Sequence, residues 1–146
     1  MYDGAGAVST GETLLILDCD LAGVERLGEW VAGFCERNGV PGVIGSELNL
    51  ALEEIVINAI QHGRPESPEG AIRVSLRFED GDIVAAVADR GAPFNPLLAP
   101  EPDLSTDLEQ RGLGGLGIHL ARRLVSSMEY ERREGQNYLT LRKRRG

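Results

Sequence analysis

One segment constrains this chain more than any other. Residues 48–62, LNLALEEIVINAIQH, carry apolar side chains around most of a helical circumference. On a helical wheel, Leu48, Ala51, Leu52, Ile55, Val56 and Ala59 form one broad face. Leu50, Ile57 and Ile60 make much of the other side apolar as well. A helix of that kind must be largely buried. Glu54, Asn58 and Gln61 nevertheless fall at i, i+4 and i+7, as one narrow polar stripe. A buried carboxylate costs several kcal/mol unless it is paired or bound to a metal. The stripe is therefore solvated on a half-exposed helix, covered by a polar partner, or turned toward a site. Glu53 lies roughly 100° away from Glu54 and reads as a surface acid.

The rest of the chain supplies what could bury such a helix. TLLILD at 13–18 has the length of a strand, and Asp20 can cap a helix from about 21 to 38, ended by NGVPG. The apolar helix is expected to start at Ser46 and stop at His62-Gly63. AIRVSLRFE at 71–79 alternates like a half-buried strand. The turn Glu79–Asp82 joins it to the more buried IVAAVAD. Residues 90–114 hold four prolines, scattered acids and little periodicity, the pattern of a lid or binding loop. A helix from Gly115 to about Ser127 follows, then a closing hairpin, MEYERRE and NYLTLRKR, around Glu134-Gly135-Gln136. The order is β α α β β, loop, α β β. Nothing divides it, so 146 residues read as one domain. Residues 1–11 are Gly- and Ala-rich and are expected to be poorly ordered.

Composition closes several routes. The 15 basic residues include a single lysine, Lys143. A P-loop and a conventional protein kinase each need a lysine placed far earlier, so neither is present. A net charge of −8 argues against nucleic acid as a direct partner. The cluster at 142–145 reads as a solvated basic end. No apolar run spans a bilayer and the start has no signal-peptide pattern, so no membrane association is expected. Cys19 and Cys35 form neither a disulfide framework nor a metal knuckle, and a cytoplasmic location is expected.

Two further segments can carry chemistry. In VADRGAPF, 87–94, a buried strand ends at Asp89, which can accept hydrogen bonds from a ligand's amino group, and Gly91 lets backbone approach closely. Alone, this is equally a strand end with a turn. In RGLGGLGIHLARRL, 111–124, Gly112, Gly114, Gly115 and Gly117 precede or open a helix. Free N–H groups there suit an anion, with Arg111 able to add a contact; a hinge is the plain alternative.

Taken in order, LALEEIVINAIQHG, VADRGAPFNP and RGLGGLGIHLARRL resemble the N-box and the two glycine boxes of the GHKL ATP-binding superfamily. The nearest likeness is to anti-sigma factor serine kinases of the RsbW and SpoIIAB type, over roughly residues 12–143. The resemblance implies an α+β fold: a two-layer α/β sandwich of the Bergerat type, its mixed sheet mostly antiparallel and its helices on one face. Residues 12–146 would form the kinase domain, with an ATP lid at about 95–113. ATP and Mg²⁺ are the implied cofactors. By resemblance Asn58 supplies an oxygen to Mg²⁺ and Glu54 is the general base. Asp89 reads the adenine amino group and Gly91 lets the base pack close. Gly112, Gly114, Gly115 and Gly117 cradle phosphates, with Arg111 a further candidate contact. The implied function is an ATP-binding serine protein kinase that phosphorylates an anti-anti-sigma (STAS) protein and sequesters a sigma factor. A nucleotide-controlled binding module without kinase activity is the alternative, and a homodimer is left open. A histidine kinase is disfavoured, because His62 and His119 both lie inside the ATP-binding motifs.

Overall fold

The computed structural model describes residues 12–98 and 115–145. Residues 1–11, expected to be poorly ordered, lie outside them. Strand β1 is Thr13–Leu17, helix α1 Gly23–Arg37, and helix α2 Gly42–Gly63. Strands β2 (Ile72–Glu79) and β3 (Asp82–Asp89) form the first hairpin, and a short 3₁₀ turn follows at Pro96–Leu98. Helix α3 is Gly115–Leu124, and strands β4 (Ser127–Arg133) and β5 (Gln136–Arg144) close the chain.

The strands make one five-stranded sheet in the order β1-β2-β3-β5-β4. All four pairings are antiparallel. The expected sandwich is thus present, and its sheet is antiparallel throughout the described residues. Strand periodicity decides which side is covered. Leu17, Ile72, Asp89 and Asn137 lie in one row across the sheet, and Leu15, Val74, Val87 and Leu139 in the next. Both rows face the helices. The apolar residues among them join Leu27, Val31 and Phe34 of α1, Leu48, Leu52 and Val56 of α2, and Ile118 and Ala121 of α3 in one core. On the opposite face Leu14 and Ile16 are exposed, and Glu79 pairs with Arg77 and Arg142. Those two guanidinium hydrogen bonds hold the Glu79 carboxyl below its ordinary range.

Some boundaries differ from expectation. Asp20 does not cap α1: its Oδ1 accepts the Ala22 N–H at 2.9 Å, building the turn before the helix. Helix α2 begins a full turn before Ser46, because Pro41 (φ −55°, ψ 143°) is extended and its carbonyl takes the Gly45 N–H at 3.0 Å. Helix α3 stops at Leu124, and Ser127 already belongs to β4.

The basic end, expected to be solvated, is divided: Arg144 and Arg145 are exposed, whereas Arg142 is half-buried and Lys143 buried. Residues 142–144 belong to β5. Lys143 is 8% exposed. Its Nζ donates to Glu47 Oε1 at 2.9 Å and to the Leu124 carbonyl. The sole lysine thereby ties the C-terminus of α3 to α2. Arg142 pairs with Glu79 and Asp82, and the Arg145 guanidinium lies over the Phe78 ring.

Candidate nucleotide site

The polar stripe of α2 divides once folded. Asn58 is 4% exposed, while Glu54 and Gln61 are half-buried. Asn58 Nδ2 donates to the Glu54 carbonyl at 3.0 Å, a bond that does not use its side-chain oxygen. Burial pushes the Glu54 carboxyl above its ordinary pKa, and the neighbouring Glu53 charge adds to this. The stripe is therefore not a freely solvated face. Glu54 lies against α3: a Cβ added at Gly117 would overlap its carboxylate.

Asp89 ends β3 on the helix face, where antiparallel register sets it opposite Ile72 and Asn137. It is 9% exposed. Its Oδ1 accepts the Gly91 N–H at 2.9 Å and Asn137 Nδ2 at 3.0 Å. Neither bond uses Oδ2. Gly91 is explained by its neighbour in the fold, since a Cβ there would lie 2.6 Å from the Gly63 carbonyl oxygen. Helix α2 and the loop after β3 cross backbone to backbone, and the Ala92 N–H donates to Gly63 O at 2.7 Å. The residue that ends α2 is Arg64, in the left-handed conformation at φ 44°.

Asn137 was not anticipated. Its Nδ2 also donates to Ala92 O at 2.9 Å. Its Oδ1 accepts Tyr130 Oη–H at 2.5 Å and Phe94 N–H at 3.2 Å. Arg132 donates to Gly91 O at 2.7 Å. The β4–β5 hairpin thus fastens the loop at residues 91, 92 and 94. The signal was present in the parity of NYLTLRKR: Asn137 and Lys143 share a phase with Leu139 and Leu141, and both are buried polar residues.

Asn58, Asp89 and Asn137 line one pocket with Ile55, Ala59, Val87, Phe94, Pro96, Tyr130 and Leu139. Aliphatic and aromatic walls around a few convergent polar groups suit a flat heteroaromatic ring. The free space is only about 20 Å³, room for about one water. The Phe94 ring stacks on exposed His62 at 4.3 Å between centroids and forms one wall. Arg111, Gly112 and Gly114 lie outside the described residues, as does most of the expected lid. Gly115 and Gly117 open α3.

A helix stripe, a strand-end carboxylate and a glycine-led helix meeting over one antiparallel sheet define a nucleotide-binding α/β sandwich. Residues 17–143 match the family model described as the histidine kinase-like ATPase domain, and the chain belongs to that family. It is 33% identical over 112 residues to the serine/threonine-protein kinase BtrW of Bordetella bronchiseptica, covering 77% of this chain and 79% of that one. It is 32% identical over 76 residues to the anti-sigma F factor of Geobacillus stearothermophilus, just under half of each chain (47% and 49%). Among solved structures, it resembles the RsbU and RsbW domains of a Mycobacterium tuberculosis protein, with TM-score 0.68 and 21% identity. That likeness covers 92% of this chain and 32% of the other, and concerns the fold.

Proposed function

We propose that the chain is an ATP- and Mg²⁺-dependent serine protein kinase acting on a STAS-type anti-anti-sigma protein, and that it also holds a sigma factor in a partner switch. The observation that carries this is the Glu54–Asn58 pair: a half-buried carboxylate of raised pKa, one helical turn before a buried amide oxygen. A raised pKa brings a carboxylate toward the range where general-base catalysis near neutral pH works best. Glu54 would take the proton of the attacking serine hydroxyl. Asn58 offers a hard oxygen suited to Mg²⁺, which keeps waters and draws other ligands from nucleotide phosphates. Bound ATP supplies the transferable phosphoryl group. Asp89 Oδ2 would accept from the adenine amino group, while Gly91 and Asn137 hold the other oxygen. Gly112, Gly114, Gly115 and Gly117 would face phosphates, with Arg111. The name of the Bordetella relative supports the kinase reading, and that of the Geobacillus relative supports the sigma-binding one. The reading places the chain in the cytoplasm; among the described residues no helix is long and apolar enough to cross a membrane.

The test is incubation with γ-labelled ATP and a co-encoded STAS-domain protein, followed by phosphoserine analysis. The expected result is labelled serine with Mg²⁺ present. Glu54→Gln is expected to bind ATP normally and to lose transfer by at least about 100-fold. ATP binding without phosphoserine in the parent chain would leave a nucleotide-controlled binding module instead.

A further inference from the structure

Where helices α2 and α3 pack together, α3 contributes no side chain at one position. Gly117, in the first turn of α3, stands against the carboxyl end of Glu54. A Cβ on residue 117 would overlap Glu54 Oε2, and would lie 2.5 Å from its carboxyl carbon and 3.2 Å from Cγ. In regular helix glycine is the poorer residue and has no conformational advantage. A side chain at 117 would meet the carboxyl end of Glu54, so the bare Cα leaves that carboxylate its place. Helix α3 is anchored beyond this contact. Ile118 and Ala121 are 1% and 0% exposed in the core, and Lys143 bonds the Leu124 carbonyl at the other end of α3.

We propose that Gly117 is a positioning residue for Glu54: its bare Cα makes the seat in which the carboxylate is held. The inference rests on the phosphotransfer reading above and gives Gly117 a role beyond the phosphate contact that reading assigns it. The far end of a glutamate is its flexible part, whereas α3 is fixed by the core. A methyl group at 117 will thus displace the carboxylate and leave the helix in place.

The experiment is Gly117→Ala, assayed for phosphoryl transfer and separately for ATP binding. We expect kcat to fall about 10- to 100-fold, the scale of an ångström-sized misplacement of a reacting group, with KM for ATP within about threefold. The companion is Glu54→Asp, which withdraws the carboxyl by about one C–C bond, ~1.5 Å. In that background Gly117→Ala should cost no more than about twofold further, because the group it displaces has already left the seat. Independent roles would multiply instead. A third measurement needs no transfer: the ¹³C-carboxyl resonance of Glu54, identified by its loss in Glu54→Gln, should move in Gly117→Ala while the methyl signals of Ile118 and Ala121 stay. Three results would overturn the proposal: an unmoved Glu54 resonance, multiplying costs, or an ATP affinity lost with kcat intact. Absence of phosphoserine in the parent chain would refute the kinase reading and leave the resonance to decide this one.

Discussion

Glu54 shows how stability and chemistry compete at a single residue. Its folded-state pKa is raised first by burial and then by Glu53. The folded chain therefore holds this proton to higher pH than the unfolded chain does. Stability from Glu54 is fully present below the ordinary carboxylate value of 4.5 and is lost as pH rises through the raised one. Glu54→Gln removes the charge and keeps the shape. Its thermal midpoint should exceed the parent's at mildly alkaline pH, and the difference should close as pH falls below the ordinary carboxylate range. Thermal melts across a pH series check this, and a variant less stable at every pH would contradict it. The residue was legible in the sequence because a period of 3.6 lifts Glu54, Asn58 and Gln61 out of an otherwise apolar wheel. Asn137 was not, since its meaning depends on a strand 48 residues away in sequence: it becomes a pocket residue only when β5 pairs with β3 and sets it opposite Asp89.

Among the elements, α2 does most of the positioning. Its middle carries Glu54 and Asn58, and its end meets the loop after β3 at Gly63. At that crossing a Cβ on residue 91 would overlap Gly63 Cα and lie 2.7 Å from its carbonyl carbon. Both are backbone atoms, held by the Ala92–Gly63 hydrogen bond, and cannot swing aside. Gly91→Ala should therefore cost about 2–4 kcal/mol, at the upper end of overpacking effects. Urea unfolding measures this, and a loss within about 0.5 kcal/mol would show that the crossing yields. A glycine beside a strand-end aspartate was visible in VADRGAPF, but the sequence alone suggested only that some backbone or ligand comes near. Element ends were misplaced where local signals competed. Ser46 looks like a cap, yet Pro41 starts the helix earlier, and Asp20 serves a turn.

Over the whole molecule, the far end of the chain is what holds the site together. The β4–β5 hairpin fastens the 91–94 loop through Arg132 and Asn137. Lys143 joins β5 to Glu47 of α2 and to the end of α3. A run of four basic residues reads as a solvated end, and strand phase is what separates them: Lys143 is buried while Arg144 and Arg145 are exposed. Lys143→Met should cost about 1–3 kcal/mol, mostly the part-buried Leu124 carbonyl left without its donor. The Glu47 side chain is 36% exposed and regains water. Chemical denaturation would measure the loss, and an unchanged stability would show that α3 is held by apolar packing alone. The order of the three motifs made the fold family readable from sequence. The contacts that assemble them were not, because they come from chain separated by up to 96 residues. The placement of Lys143 has a practical corollary. A reagent that acylates amines meets one lysine in this chain, and in the folded form finds it enclosed. Its rate of modification then reports how often β5, α2 and α3 come apart, and a mass shift at that residue becomes a clock for opening of the molecule.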